Sequence, residues 1–334
     1  MPLMSRPLRV GLIGAGWVTQ HHLNGWAAQD DRARVVAIAD PSMAAAQARA
    51  AQYGIPSVYQ NADAMLAAEE LDAVDIAAPR EMHAELVRLS ASHGLAVLCQ
   101  KPLATDLAEA EQLVAEVSDT RLMVHENWRF RRYYREAASW IRQGRIGTVR
   151  QCTMTLLSSG LLPDADGDLP TLQRQPFFAN LTRLLVSEVL IHQLDTLRTL
   201  LGELSVVGSR LGRVCPMVRG EDNAMITLRA DSGAAVTLTA SLCAHGYPPV
   251  LEDELLVVGD GGTIRLKGNL LECLGSNPAR QEYDLAACYR DSYSSVIAHF
   301  VDALRSGGPF ETSPADNLRT LSLVEDSYRL VGPA

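Results

Sequence analysis

The sequence predicts an α/β protein in two parts. Residues 1–123 read as a doubly wound parallel sheet, and residues 124–334 as a second α+β domain with an open, mostly antiparallel sheet. Three observations carry this. Apolar runs alternate with helical stretches up to about residue 123, and past residue 147 the side-chain pattern changes to a period of two. A length of 334 residues also exceeds what one core usually supports.

In chain order, "LRVGLIGAG" is a continuous apolar run ending in glycine, and "ARVVAIAD", "DAVDIAAP", "LAVLCQKP" and "RLMVHEN" repeat the form. Strands apolar on both faces suit a parallel sheet covered by helices on both sides. Helical stretches lie between them, such as "PSMAAAQARAAQYG" and "TDLAEAEQLVAEV". In the latter Leu107, Ala110, Leu113, Val114 and Val117 share one stripe behind Thr105, an N-cap candidate. "NWRFRRYYREAASWIRQGRIG" reads as a polar helical bridge between the parts, with Arg131 and Arg132 as solvated charges and His125 as a core candidate. In "AAVTLTASL", Val236, Leu238, Ala240 and Leu242 fall on one face and Thr237, Thr239 and Ser241 on the other; "CTMTLLS" and "AMITLRA" alternate in the same way. "ELLVVGDGGTIRLKG" reads as a hairpin turning at Gly261–Gly262. One helix near 182–201 is embedded in this part. Two more close the chain, one ending at Gly307–Gly308 and one starting after the Ser313 cap and Pro314, both able to pack back on the first part.

Composition excludes several classes. With 47% hydrophobic and 21% charged residues and a formal charge of −9, the chain has no basic run suited to nucleic acid or an anionic membrane. No apolar segment reaches the roughly 18 residues of a spanning helix, and the N-terminal run leads into a strand rather than a cleavage site. The six cysteines lack C-x-x-C spacing, which argues against a metal site and for a cytoplasmic protein.

The first strand runs into Gly14-Ala15-Gly16-Trp17-Val18-Thr19, two glycines of a G-x-G-x-x-G turn with threonine as the third. Gly14 permits the tight turn, and Gly16 lets a pyrophosphate approach the backbone at a helix N-terminus. Asp40 closes the second strand, where a carboxylate accepts from a ribose diol and repels a 2′-phosphate. No arginine follows it in "ADPSMAA", so NAD is expected over NADP. The plain alternatives are a structural turn and a helix-capping aspartate.

Further along, Ala78 and Pro79 end the third apolar run, His83 follows in "PREMHAEL", and Gln100 precedes Lys101 at the carboxyl end of another strand. These are expected cofactor contacts, because open α/β sheets bind ligands at that edge. Pro102 biases Lys101 toward extended backbone. An ammonium there would ease the loss of a hydroxyl proton while a hydride leaves the carbon. The alternatives are a helix-surface histidine and a solvated strand terminus. In "LVSEVLIHQLDTLRTLLG", Glu188, His192 and Asp195 share one helical face opposite Leu190, Leu194, Leu197 and Leu201. A carboxylate one turn from an imidazole can orient it for proton transfer, or can be an ordinary surface pair.

Together "GAGWVT", "AAPREMHAEL", "CQKPLAT", "HENWRFRRYYRE" and "EVLIHQLDTLR" resemble the Gfo/Idh/MocA oxidoreductases, over nearly the whole chain. The resemblance implies a Rossmann domain, a second domain whose open sheet often mediates oligomers, and NAD(P)-dependent chemistry on sugars or polyols. It implies that Lys101 is the active-site lysine, His192 the proton-transfer histidine and Glu188 the acid beside it. Gln100 departs from the usual Glu of E-K-P, Glu188 from the more common Asp, and Thr19 from the third glycine.

The expected reaction is removal of a hydroxyl proton by His192, supported by Glu188, with Lys101 on the developing alkoxide and hydride passing to nicotinamide. Asn127, Arg129, Tyr133, Arg183 and Asp195 are expected at the substrate and Trp128 at the cofactor, with the protein a homodimer or homotetramer. A nucleotide-bound sugar sensor and an enzyme that oxidises its substrate only transiently, toward elimination or bond cleavage, remain open readings.

Overall fold

The continuous apolar runs become central strands because both of their faces are covered. In a computed structural model that describes residues 6–29 and 31–332, β1 (Leu8–Ile13), β2 (Ala33–Ala39), β3 (Ser57–Tyr59), β4 (Ala73–Ile76), β5 (Ala96–Gln100) and β6 (Leu122–His125) form a parallel sheet in the order β3-β2-β1-β4-β5-β6. The helices between them are α1 (Thr19–Ala27), α2 (Met43–Tyr53), α3 (Ala62–Ala68), α4 (His83–Ser92) and α5 (Leu107–Glu116). Leu12, Ile38, Val74, Ile76, Val97 and Leu98 are fully buried. Strand order reverses between β1 and β4, which marks the ligand-binding edge of such a sheet. The cap of α5 is Asp106 rather than Thr105. Its carboxylate accepts the Glu109 N–H at 2.9 Å, and the Thr105 N–H and hydroxyl turn to the Glu109 carboxylate instead.

The second part supplies α6 (Arg132–Arg142), β7 (Val149–Leu157), α7 (Pro170–Arg174), α8 (Ile191–Leu201), β8 (Leu204–Gly212), β9 (Asn223–Ala230), β10 (Ala235–Ser241), β11 (Asp253–Gly259), β12 (Gly262–Lys267), β13 (Leu270–Gly275) and β14 (Ala279–Glu282). Its sheet runs β14-β13-β12-β11-β7-β10-β9-β8, parallel only between β7 and β10. The period-two reading holds: Val236, Leu238, Ala240 and Leu242 are buried and Thr237, Thr239 and Ser241 half-buried. The β11–β12 hairpin turns at Asp260–Gly261, with Gly262 the first residue of β12. The expected polar bridge is not all polar surface. α6 buries Tyr133, Tyr134 and Trp140, and Arg131 is 6% exposed because its guanidinium donates to the Tyr133 hydroxyl at 2.7 Å; Arg132 is exposed.

Two closing helices follow, α9 (Leu285–Ser306), stopped at Gly307 with φ 71°, and α10 (Pro314–Arg329), whose Asp316 N–H is accepted by the Ser313 hydroxyl. The compact units are Met1–Phe130 with Tyr289–Leu321, and Arg131–Cys288 with Ser322–Ala334. The first unit therefore takes in most of α9, whose Val296, Ile297, Phe300 and Val301 join Leu8, Val10, Trp26, Leu98 and Phe130 in one buried cluster. All six cysteines are unpaired. Among the described residues no helix is long and apolar enough to cross a membrane, and no cluster of side chains suits a metal ion.

Candidate active site

In the first unit the β1–α1 turn has the open, tight backbone geometry a nucleotide cradle requires. Gly14 has φ 108°, and a Cβ there would lie 2.5 Å from the Ala77 carbonyl oxygen, so the turn closes against the end of β4 only with glycine. A Cβ at Gly16 would meet no protein atom within 4 Å, which leaves its backbone open to an approaching phosphate. Thr19 is fully buried and its hydroxyl donates to the Gly14 carbonyl at 3.1 Å, so the residue in the third-glycine place fastens the turn. Trp17 is half exposed beside the turn and meets His21 edge-on at 4.9 Å. Arg49 of α2, absent from the sequence reading, donates to the Gly16 carbonyl at 3.2 Å.

Asp40 stands at the end of β2. One carboxylate oxygen accepts the Ala15 N–H at 2.7 Å and the other the Ser42 N–H at 2.8 Å, so it both shapes the turn and sets the start of α2. Each oxygen keeps a lone pair for a ribose hydroxyl. The open backbone at Gly16 and the fixed carboxylate fit NAD.

Lys101 is the first residue past β5, two strands from β1 along the same carboxyl edge. Its N–H donates to the Gln100 side-chain oxygen at 2.7 Å, and the Lys101–Pro102 peptide bond is cis. His83 is neither on a helix surface nor open to a cofactor. It is 1% exposed, with Nδ1 2.6 Å from the Pro102 carbonyl oxygen and Nε2 2.9 Å from that of Ala78. Burial, helped by the nearby Lys101 charge, holds this imidazole below its usual pKa against the pull of the two carbonyls. His83 thus ties the lysine turn to the end of β4.

Asn127, Trp128 and Arg129 are also buried in this unit. The Asn127 amide donates to the Ser292 hydroxyl at 2.8 Å, and Trp128 meets Tyr289 edge-on at 6.2 Å. Arg129, expected to face a ligand, is 4% exposed and pairs with Asp316 at 2.6 Å, fastening the start of α10. His125 is core, as expected, stacked on His22 at 4.2 Å.

In the second unit the expected helix over 182–201 begins as a π-helical turn, Leu185–Leu190, and becomes α8 only at Ile191. Glu188 therefore sits on a wider turn than His192, and the pair is not carried by one uniform α-helix as expected. Such turns recur where a side chain is re-aimed. Glu188 is half-buried, His192 is 8% exposed and Asp195 1%. The opposite leucines do not explain the packing alone, since Gln193, Thr196 and Arg198 are buried too.

Glu221, missed in the sequence, holds the entry to this segment. Its buried carboxylate accepts the Val186 N–H at 2.9 Å, the Leu184 N–H at 3.3 Å and the Tyr328 hydroxyl at 2.6 Å. Burial, then the Glu221 charge, pushes the Tyr328 phenol far above its usual pKa, so it remains a donor. Arg183 is bidentate to Glu325 at 2.6 and 3.1 Å and stands 4.5 Å over the Tyr328 ring. Tyr133, pushed up to about 12 chiefly by burial, accepts from Arg131. Both expected substrate contacts thus have structural partners within their own unit.

Residues 8–128 match a family model described as an oxidoreductase family with an NAD-binding Rossmann fold, and residues 134–265 match the GFO/IDH/MocA C-terminal domain. A D-apiose dehydrogenase of Paraburkholderia graminis is 32% identical over 95% of this chain and 86% of its own length. An inositol 2-dehydrogenase of Rhizobium meliloti is 29% identical over 97% of each. A crystal structure of an oxidoreductase from Agrobacterium radiobacter, in complex with NAD+, L-tartaric acid and magnesium, superposes with a TM-score of 0.89 at 30% identity, covering 96% of this chain and 95% of that one.

Proposed function

This chain belongs to the GFO/IDH/MocA oxidoreductases, and from that premise we propose that it oxidises a secondary alcohol of a small sugar or polyol with NAD. Relatives named for apiose and inositol support a polyhydroxylated substrate. When bound, NAD supplies the hydride acceptor. Gly14, Ala15, Gly16 and Val18 would hold its pyrophosphate and Asp40 its ribose. His192 takes the proton of the reacting hydroxyl, with Glu188 orienting it, and Lys101 stabilises the alkoxide charge as it develops.

The observation that carries the assignment is the placing of Lys101. It follows β5 on the edge that bears the Gly14–Gly16 turn, clamped before it by Gln100 and after it by His83. A lysine that merely ended a strand in solvent would not need two buried polar side chains to fix its backbone. The test is NADH fluorescence during incubation of the purified protein with NAD and a panel of aldoses, ketoses and inositols. NADH accumulation with at least one member is expected. NAD binding without NADH formation across the panel would favour the sensor, and product formation without net NADH would favour transient oxidation.

We further propose a homo-oligomer, dimer or tetramer, in the cytoplasm. The unpaired thiols support a reducing compartment. Exposed Val207, Met225, Leu256 and Leu274 on strands of the second sheet support burial of that face against a second copy.

A further inference from the structure

Beneath Lys101 lies a buried polar chain that the reaction above does not use. Asp75, fully buried in the otherwise apolar β4, accepts the Trp26 indole N–H at 2.6 Å. His22 of α1, also fully buried, places Nδ1 2.9 and 3.1 Å from the two Asp75 oxygens. Its Nε2 lies 3.2 Å from the Gln100 side-chain nitrogen, and the Gln100 side-chain oxygen lies 2.7 Å from the Lys101 N–H.

One fixed donor sets the polarity of the whole chain. A backbone N–H can only donate, so the Gln100 oxygen must face Lys101 and its NH2 must face His22. An NH2 group donates, so His22 Nε2 must carry a lone pair. A neutral imidazole then carries its proton on Nδ1, where it donates to the Asp75 carboxylate. The indole N–H, a donor only, meets the same carboxylate at Oδ2, the oxygen nearer His22 Nδ1. No contact in the series sets donor against donor.

We propose that Gln100 is a positioning residue for Lys101, and that its carboxamide locks His22 as the neutral Nδ1–H tautomer. The lysine backbone is thereby anchored through an uncharged link to a buried carboxylate. This inference rests on the reading of Lys101 as the residue at the reacting alcohol. It extends that reading to a choice the sequence makes at position 100. A glutamate there could still accept the Lys101 N–H, but its second oxygen would face the His22 lone pair. The contact would then need a second proton, held on His22 Nε2 or on the glutamate itself. Glutamine at this place therefore completes the series without the extra proton that glutamate would need. The other titratable groups around His22 are His125 of β6, stacked at 4.2 Å, Tyr293 of α9 at 5.7 Å, and His21 beside it on α1. Cys99 of β5 is held well above its usual pKa by burial first and by the Asp75 charge second, so it stays a neutral thiol.

The test combines side-chain nitrogen NMR with kinetics on the full chain. With 15N-histidine protein at neutral pH, and His22 assigned from a His22→Asn sample, wild type should show an unprotonated Nε2 and a protonated Nδ1. An Nε2–H tautomer or an imidazolium in wild type would overturn the lock. Gln100→Leu removes the acceptor for the Lys101 N–H and should lower kcat about ten- to a hundredfold with NAD affinity held. Gln100→Glu, which keeps that acceptor, should recover most of the loss. Unchanged kcat in Gln100→Leu, or equal losses in both variants, would overturn the positioning role. If Lys101→Met itself turned over normally, the functional reading would fall while the wild-type tautomer still decided the lock.

Discussion

Glu221 offers a sharp test of how the proton-transfer segment is held. Its carboxylate gathers the Leu184 and Val186 N–H groups and the Tyr328 hydroxyl, and its backbone oxygen accepts the Leu185 N–H at 3.1 Å. Glu221→Ala would strip the carboxylate from two backbone donors at the start of the π-helical turn, those of the fully buried Leu184 and Val186. A buried donor left unsatisfied costs about 1–3 kcal/mol, so the two together cost about 2–6 kcal/mol. Glu221→Gln keeps one oxygen, which serves Val186 and Tyr328, and sets its NH2 against the Leu184 N–H. That variant should lose about 1–3 kcal/mol. Urea denaturation followed by circular dichroism measures both. Because the turn carries Glu188 and feeds His192, kcat in Glu221→Ala should fall about tenfold or more, while NAD binding, proposed at Gly14, Gly16 and Asp40 of the other unit, is retained. If Glu221→Ala stayed within about 0.5 kcal/mol of wild type with unchanged kcat, the capping argument would be refuted.

Gly14→Ala should abolish NAD binding by titration calorimetry, because the new Cβ would meet the Ala77 carbonyl at 2.5 Å on a backbone with φ 108°; binding within about threefold of wild type would contradict the cradle. His21 and His83 are both held below the ordinary imidazole pKa of 6.5, by burial foremost. The unfolded chain therefore takes up protons below pH 6.5 that the folded chain refuses, so stability is full above that pH and declines as pH falls through it. Melting curves at pH 8, 7, 6 and 5 should show this decline, lessened in His83→Asn; a Tm that rose on acidification would contradict it. Met225→Glu should shift the sedimentation coefficient toward a single chain, and an unchanged value would exclude that face as the contact between copies.

The parallel sheet was legible because strands buried on both faces must be apolar throughout, and "LRVGLI" and "AVLCQ" permit little else. β3 was missed because three half-buried residues carry no periodic signal. The second sheet was legible at β10, where the two faces differ in polarity, and illegible at β14, whose residues are mostly exposed. At the site, position was legible locally: the Gly14–Gly16 turn, Asp40 and Lys101 all stand on the carboxyl edge of one sheet. Partners distant in sequence were not. Arg129 looked like a ligand contact because nothing nearby shows that Asp316 will reach it. The break between the π-helical turn that carries Glu188 and the α-helix that carries His192 has no spacing signature. Asp75 was the readable clue passed over, since a carboxylate inside "DAVDIAAP" has to find buried donors.

The central claim is that Lys101 and His192 act on one reacting alcohol. It is tested most directly by single-turnover formation of NADH in Lys101→Met and His192→Ala, using a substrate identified from the panel and NAD affinity measured in parallel. Each variant should bind NAD as wild type does and lose at least about two orders of magnitude in rate. Turnover near the wild-type rate in either one would contradict the account.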